Sequence, residues 1–217
     1  MNPTPNTRGR FITFEGIDGA GKSTQIGLLE ESLHSHNIKT VTTREPGGTV
    51  LGEELREILL NKDMHVDTEA LLMFASRREH LATVIEPALR DGAWVLCDRF
   101  SDATYAYQVG GRGLDAERCN ALENWVHPHL KPDITFLFDL PPTLAEARRI
   151  VASLRPGGCV AQDRFEREQR TFFEGVRAAY LERARRESDR FHIIDATSSQ
   201  ERIARKITAV LNERGWW

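Results

Sequence analysis

The chain has 217 residues, enough for one domain with a mobile insertion, and its 40% hydrophobic and 28% charged residues exclude a fibrous, low-complexity or wholly disordered protein. A formal net charge of −3 leaves no broad basic field for nucleic acid or anionic lipid. Cys97, Cys119 and Cys159 lie far apart without a CxxC pair, so no disulfide framework and no zinc site is expected, and a reducing cytosol fits best.

In chain order, residues 1–9 carry no apolar signal region and read as a flexible tail. A strand is expected at Phe11–Glu15, then a helix near 22–36, a strand at Thr40–Arg44, helices near 51–61 and 67–90, and a strand at Trp94–Asp98. A helix near 115–127, a strand at Ile134–Asp139, a helix near 143–153, a helix near 163–187, a strand at His192–Asp195 and a helix near 200–213 complete the pattern. The strands are short and nearly continuous in apolar residues, as in strands covered on both faces. Strand, long crossover, strand describes a five-stranded parallel sheet flanked by helices in an α/β, three-layer fold. Pro156-Gly157-Gly158 breaks the chain between the helices near 143–153 and 163–187 and predicts a mobile loop over 153–162. Phe165, Gln169, Phe172, Phe173, Val176 and Tyr180 form a stripe at helical spacing and read as core. No stretch approaches the roughly 20 apolar residues of a membrane span. Trp216 and Trp217 end the chain, docked or protruding.

Gly16-Ile17-Asp18-Gly19-Ala20-Gly21-Lys22-Ser23-Thr24 fits G-x-x-x-x-G-K-[ST] between an apolar strand and a helix. Glycines there let backbone N–H groups turn toward a phosphate, and the helix N-terminus adds partial positive charge. Lys22 reaches the β- and γ-phosphates and the Ser23 hydroxyl suits Mg²⁺. Asp18 is out of place facing an anion, so it should face a hydroxyl, a cation or an arginine. Asp98 ends a strand where a second Mg²⁺-linked carboxylate belongs. The next residue is Arg99; a P-loop motor would want an acid there to activate water, whereas an arginine suits an anionic acceptor. A GTPase switch would want N-K-x-D, and Asn61-Lys62-Asp63 has its acid one place early.

Together with Thr43-Arg44-Glu45-Pro46-Gly47-Gly48-Thr49 and Asp98-Arg99-Phe100 followed by Tyr107-Gln108, this cradle resembles that of the bacterial thymidylate kinases, over about Phe11 to Thr197. The resemblance implies a P-loop kinase domain over 10–217 with a lid near 148–164. It implies transfer of the γ-phosphoryl group from ATP to dTMP with Mg²⁺, in a cytoplasmic homodimer. Another pyrimidine nucleoside monophosphate kinase and a P-loop regulator are the alternatives. By the same resemblance Asp18 addresses the thymidylate sugar hydroxyl, Phe74 stacks on thymine and Arg78 hydrogen-bonds it. Periodicity alone puts Phe74 in the core, between Leu71 and Leu81. Arg56 and Arg99 resemble the pair that grips the acceptor phosphate, Glu45 the acid near the metal, and Pro46 a residue lining the monophosphate site. Thr104 and Gln108 match positions touching the base; Gly111-Arg112-Gly113 takes no role. The lid supplies an arginine, from Arg148, Arg149, Arg155 and Arg164, with Arg155 taken as catalytic and Arg149 as ATP-binding. Asp195-Ala196-Thr197 is placed near adenine by the resemblance or is an ordinary strand end.

Overall fold

The structure, a computed structural model, describes residues 8–154, 163–165 and 167–216. Five strands, β1 (Phe11–Glu15), β2 (Thr40–Arg44), β3 (Trp94–Asp98), β4 (Ile134–Asp139) and β5 (Phe191–Asp195), form one parallel sheet in the order β2-β3-β1-β4-β5. Among the described residues the helices are α1 (Lys22–Ser35), α2 (Val50–Asn61), α3 (Val66–His80), α4 (Glu86–Arg90), α5 (Ser101–Thr104), α6 (Ala116–Val126), α7 (Pro142–Ser153), α8 (Arg170–Arg186) and α9 (Gln200–Glu213). A π-helical stretch, Leu81–Ile85, joins α3 to α4, so the continuous helix expected near 67–90 is present with one widened turn.

The sheet separates two apolar clusters with a period of two. Ile12, Phe14, Trp94 and Leu96 join side chains of α1, α8 and α9, while Phe11, Val95 and Cys97 join Ala70, Phe74 and Leu81 beneath α3. That alternation makes β1 and β3 buried on both faces and explains their unbroken apolar runs. β2 and β5 depart from the expectation: both are edge strands, and Thr40-Val41-Thr42-Thr43-Arg44 is half covered, with the exposed Thr42 bonded to Glu30. The Phe172, Phe173, Val176 and Tyr180 stripe of α8 is core, as its spacing implied.

Three further differences have local causes. Arg8 and Gly9, assigned to the tail, are tied down: Arg8 pairs with Asp133 at 2.9 Å and Gly9 N–H donates to Leu89. The helix expected from 163 begins only at Arg170. The Arg164 N–H donates to the Leu60 carbonyl and its guanidinium to Leu59 and Glu69, so this stretch docks on α2 and α3 instead of coiling. Residues 101–111 are helical, α5 continuing into a π-helical run over Tyr105–Gly111. Gly110 and Gly175 let this segment cross α8 closely, since a Cβ at Gly110 would lie 2.8 Å from the Gly175 carbonyl oxygen and 2.4 Å from the Ala179 Cβ. The 153–162 loop, with Arg155, lies outside the described residues save for Ser153 and Leu154. Trp216 docks: it meets Trp94 edge-on at 5.6 Å beneath the Arg10 guanidinium. Among the described residues no helix is long and apolar enough to cross a membrane.

Candidate active site

The register pairs Phe14 of β1 with Asp98 of β3, so the turns leaving these adjacent strands lie side by side at the carboxyl edge of the sheet. Gly16 opens the first turn at φ +129°, and a Cβ there would come 2.5 Å from the Phe138 carbonyl oxygen. Only glycine fits that approach. Gly16 and Ile17 stay behind the cradle: the Gly16 carbonyl accepts from Lys22 Nζ (3.2 Å) and Arg99 Nη1 (2.8 Å), and Ile17 is core.

The buried Lys22 ammonium sits 3.7 Å from Asp18 and 3.8 Å from Asp98, and burial and Arg99 draw its pKa below the ordinary lysine range. An open groove lies beyond it, lined by Asp18 to Gln25, Asp98, Arg148 and the Ala196–Ser198 turn. Ser23 and Asp98 share this groove, and the buried Asp98 Oδ1, 3.8 Å from Lys22, has no hydrogen-bond partner. A hydroxyl and a carboxylate suit Mg²⁺, which takes one or two protein oxygens and fills its octahedron with phosphate and water. Among the described residues no three His, Cys, Asp or Glu side chains cluster to hold a metal by themselves.

A second cavity is lined by Asp18, Glu45, Pro46, Arg56, Leu60, Met73, Arg77, Arg99, Phe100, Ala103, Thr104, Tyr107, Gln108, Asp163 and Phe165. It meets the groove at Asp18, which lines both. Asp18 faces an arginine: Arg99 Nη2 donates to it at 2.7 Å, and Arg99 and Lys22 hold the carboxyl well below its usual range although burial alone would raise it. For Arg99, burial works against the charge, but Asp18, Tyr107, Tyr180 and Asp98 together outweigh it and push the guanidinium pKa up. Arg99 sits at φ +71°, a left-handed backbone that a non-glycine residue adopts under constraint. The constraint lies behind the site. Glu15, closing β1, accepts from the Phe100 N–H at 2.7 Å and from the Tyr180 hydroxyl at 2.7 Å, and Tyr180 accepts from Arg99 at 3.3 Å. Burial, then the Asp102 charge, push the Glu15 carboxyl up to about 8.

On α3 the residues that line this cavity lie one position before the pair expected to face the base. Phe74 is buried in the core and does not line the cavity, and Arg78 turns away to the Val126 carbonyl and to Glu86 on the surface. Met73 and Arg77, one position earlier with the same spacing, line the cavity. Arg77 donates to Glu45 at 2.7 Å and to Thr104 at 2.9 Å, lies over the Phe74 ring, and keeps Nη1 without a partner. Glu45, likened to an acid near the metal, is buried between Arg77 and His80 on this cavity, and the Arg77 charge with hydrogen bonds from His80 and Arg77 holds it below its ordinary range against the cost of burial. Arg56 donates to the Pro46 carbonyl at 3.0 Å. Gln108 gives its Nε2 to Glu69 and leaves Oε1 unpartnered.

The lid arginines separate. Arg148, not Arg149, lines the groove, donating to the Ala196 carbonyl at 2.9 Å. Arg149 lies over the Phe173 ring beside Gly19, Arg164 is spent on Glu69, and Arg155 is outside the described residues. Tyr107 and Arg112, quoted in the motifs without a role, stack under Arg99 and pair with Glu69 respectively. Glu15, Glu69 and Tyr180 have no motif to announce their place behind the site; the signals present are an acid closing the buried strand Phe11–Glu15 and Tyr180's place in the apolar stripe of α8.

A sequence model of the thymidylate kinase family matches residues 14–207. The chain is 55% identical to a thymidylate kinase of Janthinobacterium sp. (strain Marseille), over 94% of this chain and 97% of that one. It is 52% identical to the thymidylate kinase of Methylobacillus flagellatus, over 95% and 98%. The crystal structure of thymidylate kinase from Ehrlichia chaffeensis superposes with a TM-score of 0.74 at 34% identity, covering 94% of this chain and 99% of that one. With cradle, paired cavities and near-complete coverage in agreement, the chain belongs to the thymidylate kinase family.

Proposed function

We propose that this chain transfers the γ-phosphoryl group of ATP to dTMP, giving ADP and dTDP. One observation carries the reading: two cavities meet at Asp18, one walled by the P-loop and the other by Met73, Arg77 and Gln108. In the second, Arg77 Nη1 is a donor and Gln108 Oε1 an acceptor, both buried and unpartnered. A thymine edge offers the complement, O4 to accept and N3–H to donate, and buried polar groups left unmatched are costly. Met73, Leu60 and Phe100 supply apolar walls for the ring.

The donor triphosphate lies along the P-loop with its γ-phosphate toward Lys22. Arg56 and Arg99 face the acceptor phosphate, whose oxygen is already anionic and needs no general base. Phosphoryl transfer runs through a loose, in-line transition state, so positioned charge does the catalysis. Ser23 and Asp98 would hold Mg²⁺, which neutralises charge on the β- and γ-phosphates when bound. Arg155 remains the proposed lid arginine. Exposed Leu71 and Trp125, on the packed α3 and α6, offer an apolar face for the homodimer, and the widely spaced cysteines suit a reducing cytoplasm.

A coupled ADP-release assay tests the reading. ADP formation that requires dTMP supports it; hydrolysis that proceeds equally without dTMP favours a P-loop regulator. A dTMP and dUMP panel measures the discrimination resting on one methyl group, worth about 1–3 kcal/mol.

A further inference from the structure

We infer that Glu69, outside the cavity wall, is a specificity-determining positioning residue that sets which atom Gln108 shows to the base. The inference rests on the reading of the Met73–Arg77–Gln108 cavity as the base site.

An amide is ambivalent: it offers an acceptor or a donor according to which way it is turned. Gln108 is buried, on the π-helical stretch after α5, and its Nε2 lies 2.5 Å from Glu69 Oε1. Glu69 is fully buried near the start of α3 and belongs to no wall of the cavity. Arg112 pairs with its Oε1 at 3.1 Å and Arg164 with its Oε2. A carboxylate clamped by two guanidiniums only accepts, so it draws the Gln108 nitrogen and leaves the carbonyl Oε1 as the atom without a partner. Turning the amide over would set two oxygens against each other and leave the nitrogen toward the cavity.

The polarity so imposed selects among pyrimidines. Thymine and uracil carry a proton at N3 and an acceptor at position 4. Cytosine carries a lone pair at N3 and an amino donor at position 4. An acceptor from Gln108 beside the fixed donor of Arg77 matches the first pattern at both atoms and opposes the second at both. Arg77 has no second orientation to offer; Gln108 does, and Glu69 removes it. Arg164 follows Asp163 and precedes Phe165, two cavity-lining residues, so the same carboxylate also ties this edge of the cavity to the orientation of the amide.

The test is the ratio of kcat/KM for dTMP to that for dCMP. Glu69→Gln puts one donor and one acceptor where there were two acceptors, so the amide is no longer held one way. The ratio is expected to fall about tenfold or more, the usual scale for relieving a mismatched buried polar pair, while KM for ATP stays unchanged. A merely structural role would lower both substrates together. An unchanged ratio in folded Glu69→Gln, with Gln108→Leu raising KM for dTMP, overturns this inference alone. If Gln108→Leu leaves KM for dTMP untouched, the base does not lie here and the underlying reading fails instead. Should Glu69→Gln not fold, the wild-type enzyme labelled with ¹⁵N on glutamine decides. The Gln108 amide, identified through Gln108→Asn, is expected to keep one slowly exchanging, hydrogen-bonded proton with and without dTMP. Loss of that proton on adding dTMP, the nitrogen having turned to the base, overturns the inference.

Discussion

The two neighbouring arginines of α3 make opposite predictions. Arg77 is buried, and its Nε and Nη2 are committed to Glu45 and Thr104 at 2.7 and 2.9 Å. Arg77→Ala leaves the buried Glu45 carboxylate with His80 as its remaining partner on this side, and breaking a buried pair from one end costs about 3–5 kcal/mol. At about 2–4 °C per kcal/mol for a chain of this size, Tm should fall by about 6–20 °C. Arg78 is half exposed and pairs with an exposed Glu86, so Arg78→Ala should cost about 1 kcal/mol, or about 2–4 °C. Acid titration of stability adds a signature. Glu45 is held below its ordinary pKa, so its contribution is present above about pH 4.5, its unperturbed value, and is lost as pH falls toward the folded pKa. That acid loss should be shallower in Arg77→Ala. Arg77→Lys, which keeps a charge opposite Glu45 without the planar fork, should raise KM for dTMP with little change for ATP. Thermal melts and initial-rate kinetics on the three variants suffice. Equal Tm losses for Arg77→Ala and Arg78→Ala, or a dTMP defect confined to Arg78→Ala, would refute the reasoning and restore Phe74 and Arg78 as the base-facing pair.

Two further outcomes follow from the site. Lys22→Ala should fold, since the ammonium holds one hydrogen bond, to the Gly16 carbonyl, and only long ion pairs to Asp18 and Asp98, and should lower kcat about 10²-fold or more; near wild-type turnover would remove Lys22 from the charge-stabilising set. Glu15, raised to about 8, keeps its proton in the folded chain while the unfolded chain loses it near 4.5, so its contribution to stability drains away as pH rises across that window. Glu15→Gln, neutral at every pH and able to reach Phe100 and Tyr180, should gain stability relative to wild type between pH 5 and pH 8; parallel urea midpoints across that range would show that Glu15 does not titrate there.

The P-loop was legible because its chemistry is contiguous: spacing, strand before and helix after all lie within Phe11–Ser35, and backbone geometry follows from neighbours in sequence. β1, β3 and β4 were legible for a related reason, since burial on both faces leaves an unbroken apolar run. The polar stretch Ser101–Gly111 was not, because its helix is held by packing on α8 through Gly110 and Gly175 rather than by amphipathic periodicity. Likewise, the start of α8 moved to Arg170 because Arg164 found partners on α2 and α3, which no local propensity registers.

By itself, then, the sequence determined that α3 presents a cation four residues after an apolar side chain, on one helical face. Two pairs satisfy that spacing, Met73–Arg77 and Phe74–Arg78, and one residue of rotation, about 100°, separates them. Only the tertiary structure decided between them: Phe74 fills the cluster under the sheet, and Arg77 finds a buried carboxylate contributed by the turn after β2. A buried charge must be paired where its partner lies, and that partner is 32 residues away in the chain.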